Sequence, residues 1–299
     1  MSVKSIIERS SPAWLRPHLG SLYLGLRRID RQFGRPVDKR RRLKFAMAYV
    51  QPQVDLAKSW ALSDSESSNF LYALTPLSRL SLAHTIATVF GVTPALVRSL
   101  FEEIENDEVF QKHVAQSLKA LLPGVSSFSI GRRLGWYAVA RIMKPATIVE
   151  TGVDYGLGSC VLCAALLRNA GEGSPGRYIG IELRTGAGQI FTAPFNTVGE
   201  IRYGDSLESL GKLAGPIDLF INDSDHSMDY EAREYEAIRA KLSDRSVILG
   251  DNAHCSPSLA DFSERSGRNF IFFKEEPAAH WYPGAGIGFS FHPGLSGNR

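Results

Sequence analysis

Between Leu219 and Tyr230 the chain reads LFINDSDHSMDY, an apolar run that breaks into Asp223, Ser224, Asp225 and His226. Two carboxylates and an imidazole so close together can hold a cation or move a proton. An imidazole titrates near neutrality, so it can accept a proton from a hydroxyl at physiological pH. Asp251 follows Asp223 by 28 residues and is itself followed by Asn252. Carboxylate, carboxylate and amide oxygens are hard ligands of the kind Mg²⁺ or a similar divalent cation takes. The competing reading is structural: Asp223 capping a helix that starts near Met228, and His226 making an ordinary hydrogen bond.

A second constellation lies upstream. VETGVDYGLGS, residues 149–159, places Gly152, Gly156 and Gly158 between an apolar run and a helical one. Glycines there let the backbone approach a ligand, and a helix start offers free N–H groups to an anion. The spacing GxxxGxG departs from the dinucleotide fingerprint GxGxxG. Glu182 ends the next apolar run, where a carboxylate can accept both hydroxyls of a ribose.

Such residues need elements to hold them. From about residue 131, short apolar runs alternate with helical stretches: 146–150, 177–182, 200–204, 217–221 and 246–251 read as strands. SCVLCAALLRNA and MDYEAREYEAIRAKL read as helices, the latter with Met228, Ala232, Tyr235, Ile238 and Leu242 on one stripe. Alternation of this kind predicts a doubly wound, mostly parallel α/β sheet, whose ligands bind beyond the carboxyl ends of the strands. Each expected strand ends in glycine or polar residues, so all these ends share one rim.

The first 125 residues read as helical, with TPALVRSLFEEIEND opened by Thr93 and Pro94, DEVFQKHVAQSLKALLPG closed by Pro123 and Gly124, and SDSESSNFLYAL suited to a helix start. The expected organisation is a helical region over 1–125, serving packing, dimerisation or the shaping of a pocket, and a catalytic domain over 126–299. Net charge is +3, but residues 1–60 hold 13 Lys/Arg against 4 Asp/Glu and the remainder 21 against 27. Most of the excess sits in residues 27–44, preceded by Trp14, Leu15, Leu19, Leu22, Leu24 and Leu26. That predicts a solvated arm or a peripheral contact of residues 14–44 with an anionic membrane. No nucleic-acid module accompanies it, and nucleic acid ranks last as a partner. The N-terminus lacks a secretory core, no apolar run reaches the roughly 18 residues of a membrane span, and three cysteines fit reduced thiols, so the expected location is the cytoplasm. Cys160 and Cys163 form a CxxC pair without a second pair at zinc-site spacing, and small residues on a helix explain them better.

With these motifs in order, the run from about 131 to 292 resembles a class I S-adenosylmethionine-dependent methyltransferase. Within that superfamily it resembles the small-molecule O-methyltransferase group related to the catechol and caffeoyl-CoA enzymes. The resemblance implies a Rossmann-like sheet whose last strand, drawn from AHWYPGAGIGFSFH, runs antiparallel. It implies that Glu150, Gly152 and Gly156 line the methionine end of the cofactor, with Ser159 on the same side. Glu182 would take the ribose, and Asp205 and Ser206 would lie beside the adenine. By the same resemblance Asp223, Asp251 and Asn252 form a metal site, with His226 standing where those enzymes place a lysine thought to deprotonate the acceptor. Asp223 and His226 are then the catalytic pair, and the acceptor is a small-molecule or glycan hydroxyl. A nicotinamide-dependent oxidoreductase and a non-catalytic cofactor- or partner-binding module are the rival readings.

Overall fold

The computed structural model describes residues 36–296 except 64, 65, 67 and 126. The basic arm before Pro36 lies outside the described residues. The chain divides into two compact units, Met1–Ser59 and Trp60–Arg299. In the first, the described part belongs to helix α1 (Pro36–Ala61), which carries Pro52 within it and exposes Leu43, Phe45, Met47 and Tyr49.

The second unit is built on a seven-stranded sheet: β1 (Thr147–Thr151), β2 (Arg177–Glu182), β3 (Gly199–Tyr203), β4 (Ile217–Asn222), β5 (Leu242–Asp251), β6 (Asn269–Lys274) and β7 (Gly286–Phe291). Their order across the sheet is β3-β2-β1-β4-β5-β7-β6, with β7 antiparallel to both neighbours and the first five strands parallel. This is the Rossmann-like arrangement expected, with the switch in strand order between β1 and β4, where such sheets bind ligands.

The central strands are buried on both faces, which is why they read as continuous apolar runs. Successive side chains point to opposite faces. Ile148, Leu219, Ile221, Val247 and Leu249 therefore join one core, while Val149, Phe220 and Ile248 join the other. The first core packs against α2 (Pro76–Phe90), α3 (Pro94–Glu105), α4 (Glu108–Leu121), α5 (Arg133–Met143) and α6 (Leu157–Gly171). The second takes side chains from α7 (Ser206–Lys212), α8 (Met228–Ile238) and α9 (Ser258–Arg265). So α2–α4 fold as part of the sheet unit, although the sequence suggests a boundary near residue 125. Their own faces explain it: Val97, Leu100, Phe101 and Ile104 on α3, and Phe110, Val114 and Leu118 on α4, supply the buried apolar stripe that a surface helix must cover.

Local signals explain the helix starts. Thr75, Thr93 and Asp107 each accept a backbone N–H three residues on, and Pro76 and Pro94 follow the threonines. Three local expectations need correction. The stretch 63–74 starts no described helix. Instead Glu66 accepts the N–H groups of Phe70 and Leu71, and Leu74 bridges to Pro277. Helix α8 ends at Ile238, because Arg239–Lys241 tighten into a 3₁₀ turn and Leu242 already begins β5. On α8 the buried residues are Glu231, Glu234, Tyr235 and Ile238, whereas Met228 is exposed. The inward face of this helix is half carboxylate, which an apolar stripe does not foresee. Strand β6 goes beyond the strands expected from sequence and adds an edge to β7. Among the described residues, no single helix is long and apolar enough to cross a membrane.

Candidate active site

A cavity of about 630 Å³ opens at the carboxyl ends of the parallel strands. It is within the range of small-molecule sites. Glu150, Gly152, Glu182, Asp205, Ser206, Asp223, His226, Asp251 and Asn252 all line it. Gly156 and Ser159 do not: Gly156 caps α6 at φ +96°, and Ser159 is buried behind Glu150.

One half of the cavity is built from the ends of β1, β2 and β3. Gly152 has φ +82°, and a Cβ there would lie 1.9 Å from the carbonyl oxygen of Asp223, so the loop after β1 and the loop after β4 touch only because no side chain intervenes. Glu150 is fully buried, with Ser159 and Tyr178 hydroxyls donating to it. Burial pushes its carboxyl up to about 7, against the opposing pull of those hydrogen bonds and of Arg133. Glu182 accepts the N–H groups of Val153 and Asp154, each at 3.0 Å, and of Arg184 at 2.9 Å. Burial would raise its carboxyl, but these donors win and hold it below the usual range. Asp205 caps α7 through the N–H of Glu208 and accepts the Tyr230 hydroxyl at 2.8 Å. These acids are met by neutral donors, apart from Arg184, which is largely exposed and reaches Glu182 at 3.3 Å.

The other half lies beyond β4 and β5. Asn222, at the end of β4, is tied to Glu234 of α8, whose carboxylate also accepts the Ser224 hydroxyl at 2.7 Å. This fixes the turn that presents Asp223 and His226. Asp223 caps no helix; Ser227 occupies the N-cap position of α8. His226 Nε2 accepts from Asn252 Nδ2 at 3.0 Å and lies 3.7 Å from Asp223 Oδ1. That leaves the ring proton on Nδ1, which faces the buried carboxylate of Glu231 at 3.5 Å. Asn252 itself is held at φ +55°, a left-handed conformation rare outside glycine, with its N–H bonded to the Gly286 carbonyl.

Asp251 is fully buried and is gripped by Arg132. Arg132 Nε donates to Oδ1 at 2.5 Å and Nη2 donates to Oδ2. The same guanidinium donates through Nη1 to Glu275 at 2.9 Å and to the Tyr72 hydroxyl at 2.5 Å. Pairing of residues 73–75 with 276–278 brings Tyr72 to this spot. Burial alone would raise the Asp251 carboxyl, yet the charge and bonds of Arg132 hold it below the ordinary value. Asp223 moves the other way, raised well above its ordinary value by burial and by the neighbouring Asp251 charge.

The expected metal site therefore does not fit. Both oxygens of Asp251 are already hydrogen-bonded to an internal cation, and among the described residues no group of three or more His, Cys, Asp or Glu side chains is arranged to hold a metal ion. Sequence reading also missed Arg132, Arg133 and Glu231. The basic pair at the start of α5 was a usable signal, since positive charge is unfavourable at a helix N-terminus unless something else holds it. Arg133 lies over the Trp136 ring, 5.4 Å from its centroid, and lines the cavity.

Residues 149–253, which contain both halves of this rim, match the family model described as a methyltransferase domain. This segment is a methyltransferase domain. No curated protein matches the chain. Solved structures similar to it include an O-methyltransferase from Bacillus cereus in complex with SAH, at 18% identity, covering 69% of this chain and 99% of that one with a TM-score of 0.49. The O-methyltransferase TomG from Streptomyces achromogenes, involved in tomaymycin synthesis and solved in complex with SAM, is 17% identical over 63% of this chain and 91% of its own, with a TM-score of 0.46. SAH-bound methyltransferase PaMTH1 from Podospora anserina is 17% identical over 62% and 88%, with a TM-score of 0.45.

Proposed function

We propose that this methyltransferase domain moves the methyl group of S-adenosylmethionine to a hydroxyl oxygen of a small molecule or glycan, with His226 as the general base. The observation that carries the reading is the imidazole at the cavity wall, its Nδ1 backed by the Glu231 carboxylate and its Nε2 turned to the site. The β1–β3 half suits the cofactor. Glu150, low in the cavity, would meet the amino-acid ammonium, and Glu182 has lone pairs left for ribose hydroxyls beside its backbone donors. Asp205 and Ser206 would flank the base. Gly152 lets the loop after β4 close against the loop after β1, because a Cβ would collide with the Asp223 backbone.

When bound, the cofactor supplies an electrophilic methyl carbon on a sulfonium, and its departure leaves a neutral thioether. The rest falls to the chain. Asn252 Nδ2 donates to Nε2, and an acceptor hydroxyl would take that position by donating its own hydrogen bond. His226 Nε2 would take the proton of the acceptor hydroxyl as its oxygen takes the methyl group, and Glu231, 3.5 Å from Nδ1, would stabilise the imidazolium. Asp223, whose carboxyl burial and the neighbouring Asp251 charge raise, lies 3.7 Å from His226 Nε2. Positioning the two reactants supplies much of the acceleration in such a displacement. In this reading the protein acts in the cytoplasm, with residues 14–44 free to touch an anionic membrane and self-association open to the helical region.

The test is to identify by mass spectrometry the ligand retained on purification, to titrate S-adenosylhomocysteine calorimetrically, and to follow label from methyl-labelled S-adenosylmethionine into phenolic, aliphatic and sugar hydroxyls. Failure to bind S-adenosylhomocysteine would remove the proposal.

A further inference from the structure

We infer that the Arg132 guanidinium occupies the place a divalent cation would take at the Asp223–Asp251–Asn252 rim, so that methyl transfer by this chain runs without a metal. Arg132 is buried and makes four donor contacts to three acceptors: two to Asp251, one to Glu275 and one to Tyr72. A planar fork matched to a carboxylate in this way leaves no oxygen of Asp251 turned to the cavity without a donor on it. A divalent ion on the lone pairs left to Asp251 would lie against the guanidinium charge, and displacing the fork would strand a buried guanidinium, which is costly. It would also sit beside two positive charges, since Arg133 follows directly and faces the same cavity. Glu275 strengthens the grip from the far side: its Oε1 takes Arg132 Nη1, the Tyr72 hydroxyl and the Ala285 N–H together. The cation is thus part of the fold, drawn from the start of α5, and it holds Asp251 and the adjoining Asn252 in place beneath His226. Arg132 is a positioning residue in this scheme. It sets the amide that touches the base.

Metal-free transfer rests on the function proposed above; occupation of Asp251 by the guanidinium does not. The full chain, stripped of metals with chelator, is titrated with Mn²⁺ and the free-ion signal read by electron paramagnetic resonance. The expected result is no saturable site, any Kd being weaker than about 10⁻³ M, the feeble end of protein cation sites. Transfer should be unchanged by EDTA and by added Mg²⁺. A wild-type Kd tighter than that value and lost in Asp223→Asn, or activity lost in chelator and restored by Mg²⁺, overturns the inference. In Arg132→Ala the bared carboxylate should gain Mn²⁺ binding, and a folded variant without that gain also counts against it. The wild-type titration needs no variant, so misfolding of Arg132→Ala leaves the test intact. S-Adenosylhomocysteine binding on the same sample separates the two failures: if it is absent the cofactor reading falls, while the Mn²⁺ result still decides whether the guanidinium fills the site.

Discussion

The two halves of the rim use the same residue type to opposite ends. Beyond β1–β3, Glu150, Glu182 and Asp205 are satisfied chiefly by hydroxyls and backbone N–H groups, which leave their charge uncancelled. Beyond β4–β5, Asp251 is satisfied by a buried guanidinium, which cancels it. A carboxylate held by neutral dipoles can still attract an ammonium or accept from ribose hydroxyls. One locked in an ion pair becomes scaffolding. The comparison teaches that a rim of acids is not a site until the donors behind each acid are known.

His226 is where the contrast can be broken most sharply, because it is the group on the β4–β5 side proposed as the base. His226→Ala should lower turnover by roughly 10²–10⁴, the usual worth of a positioned base. Affinity for S-adenosylhomocysteine should hardly change, as its contacts belong to the other half. Turnover near the wild-type rate on the true acceptor would make the imidazole structural.

On the cofactor side, Glu182→Ala should weaken S-adenosylhomocysteine binding by about 1.5–3 kcal/mol for each charged hydrogen bond lost. Calorimetry on the folded variant checks this, and unchanged affinity would take Glu182 out of the site. A smaller kinetic effect is expected from Glu231→Gln: a loss of about 10- to 100-fold in turnover, the scale seen when an outer partner that orients an imidazole is removed. Steady-state rates at saturating cofactor read it. An equal loss in cofactor affinity would mean that the helix moved instead.

Glu150 gives a pH test. Burial pushes its carboxyl up to about 7. Only the ionised form attracts an ammonium, so affinity for S-adenosylhomocysteine should fall as pH drops through 7, approaching about tenfold per unit well below it. Above 7 the curve should level out until the ligand amine itself titrates. Glu150→Gln should bind more weakly and lose the slope near 7. Calorimetry at pH 6, 7 and 8 decides.

The mildest effect concerns the basic arm. Binding of the full chain to anionic vesicles should weaken as salt rises from low ionic strength, because screening shortens the field. Absence of co-sedimentation even at low salt would leave α1 and the residues before it as a solvated arm.

Sequence alone determined the five parallel strands and their rim. The central parallel strands β1, β2, β4 and the second half of β5 are buried on both faces, so their positions show as apolar runs ending in polar residues, and Glu150, Glu182, Asp223 and Asp251 can be placed at those ends by counting. Helix α3 was legible from Thr93, Pro94 and the apolar spacing that follows, and α4 from the run closed by Pro123 and Gly124; the Asp107 cap came from the structure. Tertiary structure alone decided what each acid does. Arg132 and Asp251 are 119 residues apart, and Tyr72 and Glu275 are 203 apart. Nothing local records that these four meet, because an ion pair across the fold leaves no periodicity behind. Glu231 and Glu234 were hidden for a related reason: on α8 they look like solvent-facing charges, and only the packing of that helix turns them inward, Glu231 to face His226 and Glu234 to hold Asn222.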